Sequence, residues 1–171
     1  MTPMRKVVVI EYLTLDRVMQ AEKAAKKGGT SMSFTDEEIA YLQSQPLTRL
    51  ATVGPDGQPD VVPLAFEFDG RGFWVGGVGD AVAGTRKFRN VAAGNDRVAL
   101  VFDDLISIEP FAARCLRVYG RAGEPVERVS ALVGPGLFMR VTPTISWSWN
   151  LEGKPAEGTW YQPRRTIHEA A

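Results

Sequence analysis

A hydroxyl and two cationic side chains stand next to one another at a predicted helix start. Thr85, Arg86 and Lys87 follow a glycine-rich stretch and open a helical pattern that continues to Ala93. Free backbone N–H groups and the positive end of the helix dipole meet at such a position, and the side chains add charge-assisted donors. This combination predicts a phosphate site. The alternative is a solvated basic helix face, because Arg86 and Arg89 lie one turn apart.

Two further stretches suit a planar ligand. Gly76 and Gly77 come directly after an apolar strand pattern, where the lack of a side chain lets a flat ring approach the backbone closely. A loose strand end is the alternative interpretation. Trp147 and Trp149 offer two aromatic faces near the C-terminus. Tryptophans of a small barrel belong more often to a core or a dimer interface than to a ligand site.

Metal and acid–base chemistry find little support in the sequence. One cysteine, Cys115, and one histidine, His168, are too few for a zinc or iron site of ordinary composition. We expect Cys115 to pack in the core and His168 to be solvated in the tail. Asp103 and Asp104 need not converge for acid–base work, because successive strand residues point to opposite faces, and we interpret them as a strand-ending turn. No catalytic acid or base is predicted.

Composition limits the class of protein. The 20 Lys and Arg residues balance 20 Asp and Glu residues, so the overall field does not favour nucleic acid or an anionic membrane. No run of about 18 apolar residues is available for a transmembrane helix. A single cysteine excludes an intramolecular disulfide, and no signal-peptide pattern opens the chain. We therefore expect a cytoplasmic protein.

The periodicity of the chain predicts mainly strands. Thr35 and Glu38 have the spacing of a capping box and predict a short helix. From Leu47 onward apolar residues alternate with a period of two, which is typical of strands, and the turn residues at 54–57 predict a hairpin. A second helical stretch is predicted near residues 126–133.

We expect two parts of unequal size. Residues 1–31 read as an N-terminal extension or linker, because a Gly-Gly-Thr-Ser stretch closes them. Residues 32–171 form the predicted cofactor-binding domain. Within the extension, residues 5–20 resemble the opening strand of a dihydrofolate-reductase-like domain, but they are too few to form that domain.

Several short stretches match one protein family in their order and spacing. They are residues 33–35, 45–47, 50–57, 85–91, 97–101 with Asp103 and Asp104, 118–122, and 140–143 with Ser146 and Trp147. Through these stretches, about residues 32–150 resemble the deazaflavin-dependent branch of the pyridoxamine 5'-phosphate oxidase-like family. Members of that family usually carry Trp-Gly where this chain has Trp147 and Ser148, so the substrate side is expected to differ in shape.

The resemblance implies a fold and a set of site residues. The fold is a mainly β (α+β) split β-barrel of the FMN-binding type, with about six strands and short flanking helices. It implies a homodimer with the cofactor between subunits. The resemblance places Arg86 and Lys87 at the phosphate and Val62, Pro63, Gly76 and Gly77 at the ring. We assign Thr85 and Asn90 to the phosphate region as well, and Trp147 to the substrate mouth of the cofactor site.

The implied function is hydride transfer between the deazaflavin coenzyme F-420 and a small unsaturated or quinone-like substrate. In such an enzyme the cofactor performs the difficult step, in agreement with the lack of acid–base constellations. One alternative is an FMN-dependent oxidase or reductase of the same fold, and another is a non-catalytic flavin-binding or haem/tetrapyrrole-binding protein. F-420 has a longer anionic tail than FMN, so further cations such as Arg89 and Arg140 along one channel would favour F-420.

Overall fold

The computed structural model describes residues 34–156 and 160–168. The predicted extension at residues 1–31 lies outside the described residues, and that division of the chain stays a prediction. The described part forms helices α1 (Asp36–Ser44) and α2 (Arg86–Ala92) and a 3₁₀ turn (Val82–Gly84). Its strands are β1 (Thr48–Val53), β2 (Pro59–Leu64), β3 (Phe66–Phe68), β4 (Phe73–Gly77), β5 (Arg97–Ser107), β6 (Ala112–Ala122), β7 (Val126–Ser130), β8 (Gly134–Trp149) and β9 (Arg164–Ile167).

Helix α1 begins at the predicted capping box. The Thr35 hydroxyl accepts a hydrogen bond from the Glu38 backbone N–H at 3.2 Å, and the Glu38 carboxylate accepts one from the Thr35 backbone N–H at 2.9 Å. Each bond satisfies a donor that the first helical turn leaves free. Tyr41 and Leu42 are buried and pack α1 against the core.

One antiparallel sheet contains all nine strands of the described part. Its main order is β2-β1-β5-β6-β8-β4-β3, and β7 and β9 also pair with the long strand β8. Strands β2 and β3 lie at opposite ends of this order, although Ala65 alone separates them in the chain. The sheet must therefore curve until its two ends approach each other, which closes a barrel.

Alternation along the strands separates two faces of this barrel. The inner face forms the core, which includes Leu50, Phe66, Phe73, Val75, Leu100, Phe102, Leu116, Val118, Met139 and Val141. We call the opposite surface of β1, β2, β5, β6, β8 and β9 the outer face. It carries the alternate residues, among them Arg49, Val61, Val101, Arg117, Tyr119 and Trp147.

The mainly β fold is confirmed, but the sheet has more strands than the predicted six or so. From the period of two we expect one strand over residues 59–68, but it is divided at Ala65, where the chain passes from one end of the sheet to the other. The tail adds β9. The helix predicted near residues 126–133 is wrong, because β7 pairs in register with the first part of β8, from Val126 opposite Phe138 to Ser130 opposite Gly134.

The prediction of a strand-ending turn at Asp103 and Asp104 is also wrong, since β5 continues to Ser107. Asp104 accepts hydrogen bonds from the Tyr41 hydroxyl at 2.9 Å and from Arg114 Nη2 at 2.7 Å. Burial opposes ionisation, yet the hydrogen bonds from Arg114 and Tyr41 hold the pKa of Asp104 below its ordinary value. This carboxylate joins α1 to the β5–β6 hairpin.

The surroundings of Cys115 and His168 differ from those predicted. Cys115 is half-buried on the outer face instead of in the core, because Leu116 takes the inner position, and burial raises the pKa of the thiol to about 11. His168 is not solvated: its Nε2 lies 2.8 Å from Ser146 Oγ and its ring packs on Phe34. Among the described residues, no group of three or more His, Cys, Asp or Glu is arranged to hold a metal ion.

No helix in the described ranges is long and apolar enough to span a membrane.

Candidate functional site

The candidate phosphate site lies where the 3₁₀ turn passes into α2. Thr85 is the residue before the first helical residue, and its hydroxyl donates to the Val82 carbonyl oxygen at 2.7 Å. Lys87 Nζ donates to the Thr85 hydroxyl oxygen at 3.2 Å. Arg86 and Lys87 therefore extend from the same short turn, as predicted, and both lie close to Asp60 of β2.

Charge at this turn is only partly balanced. Arg86 Nε is 3.9 Å from the Asp60 carboxylate, at the outer limit of an ion pair. Burial lowers the pKa of the Lys87 ammonium, while the charge of Asp60 acts in the opposite direction. One carboxylate thus faces two cations. The surplus positive charge suits a ligand with a phosphate group.

Asn90 lies apart from these cations. Its side chain is buried, and its Nδ2 donates to the Thr52 hydroxyl oxygen at 2.8 Å. Phe88 and Val91 pack into the core beside it. Asn90 therefore fixes α2 against β1, and this holds Thr85 and Lys87 in place.

Gly76 and Gly77 are close to the same turn. A side chain on Gly77 would come within 2.9 Å of the Val82 side chain, which belongs to the 3₁₀ turn. A Cβ on Gly76 would meet the Leu137 carbonyl oxygen and, at 2.7 Å, the Phe138 Cα. Glycine is thus required for close packing of β4 on β8. The structure brings the predicted ring and phosphate residues of β4 and α2 into one neighbourhood.

We predict that Gly76→Ala lowers the free energy of unfolding by about 1–3 kcal/mol, because two of the three atoms that crowd the new methyl group belong to the backbone of β8 and cannot move away independently. Gly84→Ala is the matched control, since no atom lies within 4 Å of its Cβ position. Denaturant titration of both variants measures the difference. Equal stability of Gly76→Ala and the unmodified protein would contradict the close packing.

Val62 and Pro63 belong to β2, which contacts β4. Val62 is half-buried against the core, and Pro63 is exposed on the outer face. Asp60, two residues before Val62, reaches Arg86. Eight of the nine predicted site residues therefore belong to β2, to β4 or to α2 and the residue before it, and these elements meet at one end of the barrel. Among these eight, Asn90 supports α2 from the interior.

Trp147 is the exception. It lies on the outer face of β8, where its ring contacts Tyr119 with the centroids 4.9 Å apart and the Arg117 guanidinium lies 4.3 Å from its centroid. Within one chain the structure does not bring Trp147 to the phosphate residues.

A small pocket of about 120 Å³ was not predicted from the sequence. Its lining includes both candidate glycines and Glu67, whose carboxylate accepts hydrogen bonds from the Ser130 hydroxyl, the Ala131 N–H and Arg128 Nη2. Burial opposes ionisation, but the bonds from Ser130 and Arg128 hold the pKa of Glu67 below its ordinary value. Glu67 is therefore ionised at neutral pH and does not serve as a proton donor. The sequence does not predict this cluster, because its pattern over residues 126–133 indicates a helix.

A larger groove, about 570 Å³, crosses the outer face. Its floor is apolar, Tyr119 and Thr144 border it, and two cations stand on its rim. The rim residues are Arg97 and Arg121, of which Arg121 is paired with Asp96 at 2.6 Å. This volume is in the range of small-molecule sites. It is separate from the α2 cations.

Comparison with known proteins assigns the family. A model described as pyridoxamine 5'-phosphate oxidase matches residues 34–131, more than half of the chain. The chain belongs to this family. The stretches that carried the resemblance fall largely within the matched range, so the resemblance is confirmed.

Two relatives narrow the class further. A 5a,11a-dehydrotetracycline/5a,11a-dehydrooxytetracycline reductase of Streptomyces rimosus is 45% identical over 136 residues, which are 74% of this chain and 90% of that protein. The structure of an F-420 reductase is similar with a TM-score of 0.50 and 25% identity, over 63% of this chain and 93% of that one. The chain is accordingly an oxidoreductase of the pyridoxamine 5'-phosphate oxidase family.

A protein of Mycobacterium tuberculosis has a similar fold, with a TM-score of 0.55 and 23% identity over 78% of this chain and 96% of that one. At this identity the likeness supports the barrel alone.

Proposed function

We propose that this protein is an F-420-dependent reductase that transfers a hydride to a carbon–carbon double bond conjugated with a carbonyl group. The observation that carries the proposal is the 45% identity with a dehydrotetracycline reductase along 90% of the length of that reductase. The likeness to an F-420 reductase supports the choice of cofactor. The substrate class is a fused-ring polyketide enone, since that relative acts on dehydrogenated tetracyclines.

The residues at the β2–β4–α2 end suit a phosphorylated, planar cofactor. Arg86 and Lys87 supply more positive charge than Asp60 neutralises, and Thr85 adds a hydroxyl beside them. Gly76 and Gly77 leave the strand end without side chains, and β2, which carries Val62 and Pro63, contacts β4. Of the two cations expected along an F-420 tail, Arg140 is already bonded to Asp69 at 2.9 Å, so Arg89 on α2 is the one available.

When bound, reduced F-420 supplies the hydride. Reduction of the double bond places this hydride on one carbon and a proton from solvent on the other, and the proton released by oxidation of the cofactor would pass to solvent. Although burial opposes ionisation, hydrogen bonds from Arg114 and Tyr41 hold the pKa of Asp104 below its ordinary value, and those from Ser130 and Arg128 do the same for Glu67, so we assign the proton to solvent and not to either carboxyl group. The protein's own part is to bind, orient and exclude water.

The direct test is titration of the purified protein with F-420, FMN and haem. We expect saturable binding of F-420 with one site per chain and weaker binding of FMN. Tight FMN binding with no F-420 binding would contradict the proposal and favour an FMN-dependent enzyme. Stoichiometric haem binding without flavin or deazaflavin binding would favour a tetrapyrrole-binding protein.

We also propose a homodimer that completes the cofactor cleft. Val61 of β2 and Val53 of β1 are 61% and 40% exposed on the outer face, next to the apolar floor of the larger groove. Such a contiguous apolar surface is typical of an interface. Within one chain Trp147 does not lie with the other predicted site residues. A cleft formed between two copies would explain this separation.

Sedimentation at micromolar concentration tests the dimer. We expect a dimer for the unmodified protein and a monomer for Val61→Glu, because a buried carboxylate without a partner destabilises an interface. Val129→Glu on β7 is the matched control, since Val129 is 72% exposed and lies away from the outer face. A monomer that binds cofactor stoichiometrically would rule out the shared cleft.

A further inference from the structure

Three side chains form a row across the outer face. Arg117 of β6 lies opposite Trp147 of β8, and Trp147 lies opposite Arg165 of β9. Neighbouring strands are about 4.8 Å apart, and residues in register project from the same face. The indole of Trp147 is therefore flanked on both sides by a guanidinium-bearing residue.

Arg117 lies among three aromatic rings. Its guanidinium carbon is 4.3 Å from the ring centroid of Trp147, 5.2 Å from that of Tyr119 and 5.3 Å from that of Trp149. Its Nε is buried and has no hydrogen-bond partner in the described part of the chain. Aromatic contacts orient this cation, but they leave its buried Nε–H without a hydrogen-bond partner.

The charge of the row is not neutralised. Neither Arg117 nor Arg165 has a carboxylate within 4 Å among the described residues, and the acidic residue closest in register, Asp103, pairs with Arg49 at 3.4 Å. Seven arginines of the described ranges pair with a carboxylate, and Arg89 and Arg97, like the two arginines of the row, have none within 4 Å; the paired ones are Arg49, Arg86, Arg114, Arg121, Arg128, Arg140 and Arg164. Two unpaired cations beside an indole favour an anion with a flat ring system.

We propose that Arg117, Trp147 and Arg165 form a binding site for a planar aromatic anion, and that its occupant is the ionised fused-ring substrate of the reductase. This assignment of the substrate rests on the proposed function. Tetracyclines are linearly fused rings with acidic enol groups, so their anions combine a flat surface with negatively charged oxygens. The guanidinium groups donate to those oxygens, and the indole packs on a ring.

The C-terminal strand is part of this site. Arg165 belongs to β9, which Arg164 anchors by donating to both carboxylate oxygens of the buried Glu38 at 2.9 Å. Ser148 of β8 donates to Glu38 at 2.7 Å. The serine that replaces the family's usual glycine after Trp147 thus helps to fix β8 and β9, two of the three strands that carry the row.

The experiment uses a probe that does not depend on F-420. Anthraquinone-2-sulfonate is a planar anion, and 2-(hydroxymethyl)anthraquinone is its neutral counterpart; calorimetry measures the binding of each to the full chain. We expect the anion to bind at least about tenfold more tightly than the neutral compound. Equal affinities, or no binding of either, would overturn the proposal.

Variants locate the probe and separate its alternatives. Arg117→Gln should weaken anion binding about tenfold and the exposed Arg165→Gln about threefold, with little effect on the neutral compound. Lys154→Gln is the control, because Lys154 is an exposed cation outside the three strands that carry the row. Unchanged anion affinity in the folded Arg165→Gln and Arg117→Gln proteins would overturn the proposal.

Two further readouts on Arg165→Gln identify the occupant. We expect its KM for 5a,11a-dehydrotetracycline to rise, whereas its kcat, its affinity for F-420 and its sedimentation stay unchanged. A loss of F-420 affinity would assign the row to the cofactor tail, and a change to monomer would assign it to the partner subunit; either result overturns the proposal. Failure of the unmodified protein to bind F-420 would instead refute the proposed function, and probe binding would be unaffected.

Discussion

Replacing Glu38 with alanine is expected to lower the free energy of unfolding by about 2–4 kcal/mol. The Glu38 side chain is 1% exposed and accepts hydrogen bonds from Ser148, Arg164 and the Thr35 backbone N–H. Its removal leaves these donors without partners and deletes half of the capping box. The loss is less than for a fully enclosed ion pair, because the Arg164 side chain is 48% exposed.

Denaturant titration measures this change, and two variants sharpen it. Glu37→Ala removes a neighbouring exposed carboxylate in the same helical turn and should alter stability by less than about 0.5 kcal/mol. Arg164→Ala should fall between the two, since Ser148 and Thr35 still bond to Glu38. A Glu38→Ala protein as stable as Glu37→Ala would show that the cluster of Glu38, Ser148 and Arg164 does not hold α1 and β9 on the barrel.

Lys87→Ala is expected to weaken F-420 binding about ten- to a hundredfold, since it removes a charge-assisted contact to phosphate. Stability of the cofactor-free protein should barely change. The hydrogen bond that Lys87 makes, to the Thr85 hydroxyl at 3.2 Å, is replaceable because that hydroxyl also donates to Val82. Titration calorimetry and thermal melting measure the two quantities.

Arg89→Ala is the matched variant for this prediction. Arg89 lies on the same short helix but is exposed, so its loss should weaken F-420 binding less than that of Lys87 and leave FMN binding unchanged. If Lys87→Ala instead lowers the melting temperature and leaves the affinity for F-420 unchanged, Lys87 is a structural residue. Unchanged affinity of Lys87→Ala for both F-420 and FMN would reject the phosphate assignment.

Elements whose cause is local could be predicted from the sequence. The capping box at Thr35 and Glu38 depends on residues three positions apart, and the structure contains both of its hydrogen bonds. The turn at residues 54–57 needs only Gly57 in the left-handed region, where its φ is 81°. Helix α2 and the neighbouring cations at its start were also predictable, because they depend on residues that are close together in the sequence.

Elements whose cause lies far along the chain could not be predicted. Residues 126–130 form a strand because β8 pairs with them and because Glu67, about 60 positions earlier, bonds to Arg128 and Ser130. Asp104 stays within a strand because Tyr41 and Arg114 bond to it. Neither partner can be identified from spacing.

The candidate site shows the same division. Thr85, Arg86 and Lys87 are adjacent in the sequence, so their convergence was predictable. Asn90 has helical spacing from Arg86, but the depth of its side chain is set by Thr52 on β1, and its place in the interior followed only from the structure. The row of Arg117, Trp147 and Arg165 depends on the register of three strands, which no local pattern determines.

Anaerobic mixing of the protein with reduced F-420 and 5a,11a-dehydrotetracycline tests the central claim most directly. We predict that oxidised F-420 appears in equal amount to the reduced tetracycline, and that deuteride carried by the cofactor is found on a ring carbon of the product. No oxidation of F-420 with this or other fused-ring enones, together with turnover by FMN-loaded protein, would contradict the account.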